Sequence, residues 1–294
     1  MRFRLSLYST IGTERTRPLI SRVVADATDL YLDLLMECLI GRVYGPEVVH
    51  VPEAPEDPGM LEAILDLNSL GIDVTRPRPV PDEAYELGRN FLDVPERAAT
   101  ICGRARLENV RQCVEHVRSD GVPGDLIETG VWRGGTTIFM RAMLKAHGAD
   151  RLVWAADSFA GLPDPDLTTY PLDREFEGHG KLDIGIDEVR GWFERYGLLD
   201  DGVRFLEGWF KDTLPTLSDR SFALVRLDGD MYGSTIEALT ALYPRLSPGG
   251  FLIVDDYGAY EACRQAVTDY REQHGITELI VGVDWTAVYW RKRT

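Results

Sequence analysis

Two acidic clusters, Asp228-Gly229-Asp230 and Asp255-Asp256, each close a run of apolar residues, and one helix-patterned segment separates them. The runs, 222–227 and 251–254, read as buried strands. Between them Ile236, Leu239, Leu242 and Tyr243 recur at helical spacing over 234–246, and Pro248-Gly249-Gly250 is the expected stop. Strand, helix, strand in this order is a right-handed crossover, so the two strands run parallel. Parallel strands bring all four aspartates to one edge of the sheet, the carboxyl edge where open α/β sheets bind ligands. Carboxylates crowded there repel one another unless a cation sits among them.

The rest of the chain extends this pattern. A helix over 106–118 leads through Gly121-Val122-Pro123-Gly124 into a strand at 125–128. A helix over 136–147 leads to a strand at 151–156, and after a long loop a helix over 187–196 precedes a strand at 203–206. The opening unit supplies strands four and five. A helix over 260–274 then feeds two strands, 277–283 and 287–291, separated only by Asp284-Trp285-Thr286. That gap is too short for a crossover helix, so the last two strands must pair antiparallel. The first hundred residues differ. A helix over 19–42 shows Val23, Leu30, Leu34, Leu35 and Cys38 on one side, and a proline-loaded stretch to Pro95 holds one helical piece around 60–70. Residues 1–100 therefore read as an arm or cap without a core of its own, able to cover a site or join two subunits, and 101–294 as the main domain.

Composition narrows the partners. A net charge of -16 argues against nucleic acid or an anionic membrane surface, because phosphate binding needs clustered Lys and Arg. The four cysteines, Cys38, Cys102, Cys113 and Cys263, form no C-x-x-C pair, so neither a zinc site nor a disulfide framework is expected. No apolar h-region follows Met1-Arg2-Phe3-Arg4 and no run reaches transmembrane length, which suits a cytoplasmic location.

The turn after the first strand, Glu128-Thr129-Gly130-Val131-Trp132-Arg133-Gly134-Gly135-Thr136-Thr137, is built for close ligand approach. A dinucleotide fingerprint needs glycine two residues after Gly130, where Trp132 stands. A P-loop needs lysine after Gly135, where Thr136 stands. S-adenosylmethionine, which carries no phosphate, is the third option and tolerates an acid such as Glu128 at the strand end. A tight turn with no ligand remains open on these residues alone. Asp157, ending the second strand, occupies the place from which such sheets reach a ribose, and as an isolated Asp it would equally cap a turn.

Five blocks in one order then resemble the macrocin O-methyltransferase (TylF) family. They are the 126–135 turn, Asp157-Ser158-Phe159-Ala160-Gly161-Leu162-Pro163, Gly208-Trp209-Phe210-Lys211-Asp212-Thr213-Leu214-Pro215, Leu227-Asp228-Gly229-Asp230-Met231-Tyr232-Gly233-Ser234-Thr235 and Val254-Asp255-Asp256-Tyr257-Gly258. The resemblance runs from about residue 100 to the C-terminus, with a weaker echo in 30–44. It implies an α/β fold of the class I methyltransferase type, a Rossmann-like sheet of five parallel strands plus a terminal antiparallel hairpin, preceded by a helical arm. It implies O-methylation of a sugar hydroxyl on a glycosylated natural product. The cofactors implied are S-adenosylmethionine and Mg2+. The metal motif falls on Asp228, Asp255 and Asp256, with Asp230 as general base beside Asp228. The donor positions fall on Glu128, Thr129, Gly130, Asp157, Ser158, Gly208 and Trp209, with Ser158 and Trp209 flanking the adenine. Ile101-Cys102 stands where the family pattern has Met-Ile.

The expected chemistry follows from these roles. A divalent cation stabilises an alkoxide, and magnesium prefers all-oxygen ligands. Two rivals share the D-x-D pattern. A haloacid-dehalogenase-type phosphatase would carry its nucleophile on the first strand, and this cluster ends the fourth. A metal-dependent glycosyltransferase would want basic residues near its phosphates. A catalytically inactive cofactor-binding scaffold would not keep a full carboxylate set. The partners expected are a small glycosylated substrate and a second copy of the chain through the arm. Substrate contacts are expected from the arm and the 164–187 loop, with His179 as a solvated residue on a loop able to close over the substrate.

Overall fold

The computed structural model describes residues 26–45, 47–50, 58–72, 74–78, 80–88, 97–178 and 182–293. His179 and Val23 lie outside the described residues. The α/β expectation holds. Helices α4 (Arg104–Ser119), α5 (Gly135–Ala146), α6 (Ile186–Arg195), α7 (Phe210–Thr213), α8 (Tyr232–Leu242) and α9 (Glu261–Gln273) surround a seven-stranded sheet. Its strands are β3 (Asp125–Thr129), β4 (Val153–Asp157), β5 (Val203–Glu207), β6 (Phe222–Leu227), β7 (Leu246–Val254), β8 (Val281–Gly282) and β9 (Val288–Arg291), in the order β5-β4-β3-β6-β7-β9-β8. β3 through β7 are mutually parallel. β9 lies antiparallel beside β7, and β8 antiparallel on β9, so the terminal hairpin folds back with its second strand innermost.

Helices on both faces explain why β6 is buried at every position and reads as a continuous run rather than an alternation. The chain winds outward from β3 to β5, then returns to lay β6 against the other side of β3. That reversal is the topological switch point, where a crevice opens at the carboxyl ends.

Three details depart from the sequence expectation. The helix expected over 234–246 starts at Tyr232 and ends at Leu242, passing into a 3-10 turn at Tyr243–Arg245 that holds Pro244. Pro248-Gly249-Gly250 is not a loop but the first half of β7, where the pairing with β6 shifts register. Pro248 needs no ladder donor at such an irregularity. The closing hairpin strands are shorter than expected.

Before the sheet come α1 (Ala27–Leu39), α2 (Pro58–Ser69) and α3 (Asp82–Leu87), with strands β1 (Glu47–His50) and β2 (Thr75–Arg78) pairing antiparallel. The proline-loaded stretch thus contains a small ribbon that its composition does not announce. α1 buries Leu32, Leu35, Met36 and Leu39 in the same core as α4 and α5. Arg111 on α4 fixes it, with Asp29 at 2.5 Å and Asp33 at 2.9 Å. The buried stripe shares Leu35 with the expected one but not Leu30 and Leu34, which are each 60% exposed. The segment has two apolar stripes, and only contact with α4 and α5 selects between them. No helix among the described residues is long and apolar enough to cross a membrane, and all four cysteines are free thiols.

Candidate active site

One cavity of about 590 Å3 opens at the carboxyl edge of the sheet, over the switch point. Ten of the residues singled out above line it: Glu128, Gly130, Asp157, Ser158, Gly208, Trp209, Asp228, Asp230, Asp255 and Asp256. Thr129 does not. It alternates to the other side of β3, fully buried, where its hydroxyl donates to the Arg226 carbonyl at 3.5 Å.

The loops at this edge are held in unusual backbone conformations. Among the described residues, the non-glycine positions with positive φ are Trp132, Phe159 and Asp230, which follow β3, β4 and β6. Strain of this kind collects at binding sites, where packing over-determines the backbone. Gly130 has φ 81°, and a Cβ there would stand 1.7 Å from the Asp228 carbonyl oxygen. Only glycine lets the first turn lie this close to the acidic loop, so the donor-type turn and the carboxylates form one pocket.

Asp157 organises that turn. Its carboxylate accepts from the Val131 N–H at 2.7 Å and from the Phe159 N–H at 2.7 Å. Its own carbonyl accepts from the Gly208 N–H at 2.9 Å, which joins the loops after β3, β4 and β5. Ser158 donates to the Gly161 carbonyl at 2.7 Å, and Trp209 stands 37% exposed on the rim.

The carboxylates divide differently from the expected Asp228, Asp255 and Asp256 grouping. Oxygens of Asp228, Asp230 and Asp256 lie within 4.8 Å of one another, and the Asp230 N–H donates to Asp256 at 3.1 Å. Asp255 turns the other way. One of its oxygens meets Arg226 at 2.5 Å and the other is held by Arg106. The reason is strand geometry. Adjacent residues at a strand end point to opposite sides, whereas Asp228 and Asp230 are two apart. Asp228 stands between the two groups, with Arg226 on one oxygen at 2.8 Å.

Arg226 and Arg106 are the cavity-lining residues that motif reading missed. Arg226 is 1% exposed and bridges Glu128, Asp228 and Asp255, with the Cys102 sulfur at 3.1 Å. Arg106 joins Asp255 to Asp284, the latter at 2.7 Å. Glu128 spends one oxygen on Arg226 and accepts from the Thr137 hydroxyl with the other. It therefore holds Arg226 in the cavity floor. The signal was present in the sequence, because a cation inside the apolar run 222–227 must find buried anionic partners.

Electrostatics separate the two groups further. Burial, then the facing carboxylates, raise Asp228, Asp230 and Asp256 above the ordinary carboxylate range. For Asp255 burial also pushes upward, but Arg106 and Arg226 more than reverse it, and the net shift is downward. A set of converging oxygens that resist ionising together is the donor set a hard divalent cation suits.

Comparison with known proteins identifies the family. The family model for macrocin-O-methyltransferase (TylF) matches residues 28–292. A Streptomyces olivaceus enzyme, 8-demethyl-8-(2,3-dimethoxy-alpha-L-rhamnosyl)-tetracenomycin-C 4'-O-methyltransferase, is 49% identical over 90% of this chain and 94% of its own length. Mycinamicin III 3''-O-methyltransferase of Micromonospora griseorubida is 45% identical over 90% of this chain and 96% of its own. The solved structure of the O-methyltransferase NovP, at 42% identity, superposes with a TM-score of 0.75 over 91% of this chain and 100% of that one. Agreement in sequence, in fold and across nearly the whole length has one meaning: this chain is an O-methyltransferase and belongs to the macrocin O-methyltransferase (TylF) family.

Proposed function

We propose that the enzyme methylates a sugar hydroxyl of a glycosylated natural product, with S-adenosylmethionine as donor and a divalent cation, Mg2+, as aid. The observation that carries this reading is the convergence of Asp228, Asp230 and Asp256 in the same cavity as the Gly130 turn and Asp157. Relatives whose names describe sugar O-methylation in antibiotics support the substrate class. The glycosyltransferase and phosphatase readings of the D-x-D pattern fall with family membership.

In this reading the turn at 128–135 and Asp157 hold the donor, with Ser158, Gly208 and Trp209 along its other side. Asp228 and Asp256 would hold the cation. Asp255 was the third ligand expected, and its place beside Asp228 would let it join if Arg226 released the Asp255 oxygen it holds. When bound, a divalent cation lowers the pKa of a coordinated hydroxyl and orients it. Asp230 accepts the hydroxyl proton. The acceptor oxygen takes the methyl as the sulfur–carbon bond breaks, and the donor leaves as a neutral thioether. Much of the rate comes from alignment within a rigid cavity.

Two measurements test this reading together. Titration calorimetry should show S-adenosylhomocysteine binding and no UDP-sugar binding. Methyl transfer should collapse in EDTA and return with added Mg2+. Full activity in chelator would remove the cation from the mechanism and leave the donor assignment standing.

We also propose that α1 joins two copies of the chain. Leu30, Tyr31 and Leu34 form an exposed apolar stripe on the side of α1 away from the core. Light scattering should give a dimer or larger for the parent and a monomer for the Leu30→Glu/Leu34→Glu variant. An unchanged mass would reject the stripe as the contact.

A further inference from the structure

Of the six tryptophans two are exposed, and both line the cavity: Trp209, 37% exposed, and Trp285, 62% exposed. Strand order sets them at opposite ends of the active edge. Trp209 follows β5, at one side of the sheet, and Trp285 lies in the turn between β8 and β9, at the other. The Gly130 turn and Asp157, at the ends of β3 and β4, lie toward Trp209. The carboxylates after β6 and β7 fall between the two tryptophans. β9 runs antiparallel to β7 with Val288 opposite Val254, which brings the Trp285 turn beside Asp255 and Asp256.

That turn is held on several sides. Asp284 accepts from the Thr286 N–H at 3.0 Å, the Ala287 N–H at 2.8 Å and Arg106 Nε at 2.7 Å. The Thr286 hydroxyl donates to the Asp255 carbonyl at 2.7 Å, and the Gly258 N–H donates to the Thr286 carbonyl at 2.8 Å. A Cβ on Gly258 would stand 2.4 Å from the Trp285 carbonyl oxygen, so glycine lets the acidic loop seat against the turn. Trp285 Nε1 donates to the Leu87 carbonyl at 3.3 Å, at the C-terminal end of α3. The indole is thus fixed at its backbone and its polar edge, while most of its surface stays open. A tether to α3 needs only the N–H. Leaving so large an apolar ring uncovered forgoes its burial, which a folding role alone does not explain.

Displacement geometry selects what meets that ring. Methyl transfer needs the sulfur, the methyl carbon and the attacking oxygen in line. In the reading above the donor lies over β3, β4 and β5, and the attacking oxygen sits at the carboxylates of β6 and β7. The body of the acceptor then extends away from the donor, toward β9 and β8, where Trp285 stands. A pyranose carries its C–H bonds on its faces and its hydroxyls around its edge. An indole can cover such a face and leave the edge hydroxyls free to reach Asp230.

We propose that Trp285 is the platform on which the acceptor's sugar ring stacks during methyl transfer. The inference rests on the sugar-methylation reading above and adds to it a specificity residue outside the five motif blocks.

The test uses the full-length enzyme with methyl α-L-rhamnoside and methyl β-D-glucoside as acceptors. Trp285→Ala should raise the acceptor KM about tenfold and leave kcat nearly unchanged, as loss of one aromatic contact does. Its affinity for S-adenosylhomocysteine should match the parent. Trp285→Phe keeps a ring but loses the N–H, and should return KM to within about threefold of the parent. In fluorotryptophan-labelled enzyme saturated with S-adenosylhomocysteine and Mg2+, the fluorine resonance missing from Trp285→Phe should move when the accepted glycoside is added. An unchanged KM in Trp285→Ala overturns the platform. So does a Trp285→Phe variant as impaired as Trp285→Ala, which would make the Leu87 tether the whole role. A still resonance in a parent enzyme that methylates the glycoside also overturns it, and leaves sugar methylation intact. A parent that neither binds nor methylates either glycoside defeats the sugar reading, and the platform falls with it.

Discussion

Asp228→Asn should lose methyl transfer by about a hundredfold or more, the scale of a removed metal ligand or proton acceptor. Asp228 is the one carboxylate that belongs to both groups, sharing the cluster with Asp230 and Asp256 and an ion pair with Arg226. In the proposed reading its loss weakens the cation site and frees one side of Arg226. Asp230→Asn separates the roles. If Asp230 takes the proton, that variant loses turnover by a similar factor and still binds Mn2+, read by electron paramagnetic resonance, nearly as the parent does. Asp228→Asn and Asp256→Asn should lose both. Loss of Mn2+ affinity in Asp230→Asn would make it a ligand, as its distances allow, and would move the base elsewhere. S-adenosylhomocysteine affinity should hold in all three variants, because the residues proposed to hold the donor lie at the ends of β3, β4 and β5.

Arg226→Met should cost about 3–5 kcal/mol of folding stability, the range for removing one member of a buried charge network. The substitution leaves Glu128, Asp228 and Asp255 facing one another without their shared cation. A urea midpoint lower by about 1 M or more is the expected reading. Adding Glu128→Gln to Arg226→Met should restore part of the loss, since one stranded charge is then gone, and a double-mutant cycle measures the coupling. An unchanged midpoint in Arg226→Met would show that the surrounding carboxylates pair or protonate at no cost. If Arg226→Met does not fold, Arg226→Lys keeps the charge, and its intermediate midpoint answers the same question.

These two experiments meet at the same cavity floor. Arg226 is the fixed counter-charge that keeps Glu128, Asp228 and Asp255 packed together at this floor. Cys102 lies in the same floor. Burial, then Asp255, push its thiol up to about 11, and Arg226 and Arg106 do not reverse this. A buried thiol raised in this way stays protonated at neutral pH.

Much of this protein was legible in its sequence. Strand identity in 222–227 and 251–254, the parallel crossover between them and the closing hairpin all follow from periodicity and loop length, which are local properties. The acidic clusters declared the active edge, because chain direction in a crossover unit leaves only one edge for them. Gly130 was readable as a close-approach residue, although what it approaches, the Asp228 carbonyl, lies far along the chain.

What the sequence could not decide is which way each side chain turns once the strands pair. Asp255 and Asp256 are neighbours in the chain, yet one faces two arginines and the other faces Asp230. Arg226 and Arg106 come from β6 and α4, and no local pattern states that they share Asp255. Asp173 caps a helix that begins 59 residues later. The apolar stripe that α1 buries was likewise settled by contact with α4 and α5. Local propensity and order determine the elements and the edge where chemistry happens. Alternation across a strand and long-range pairing of buried charge decide which residues meet there, and both exist only in the folded chain.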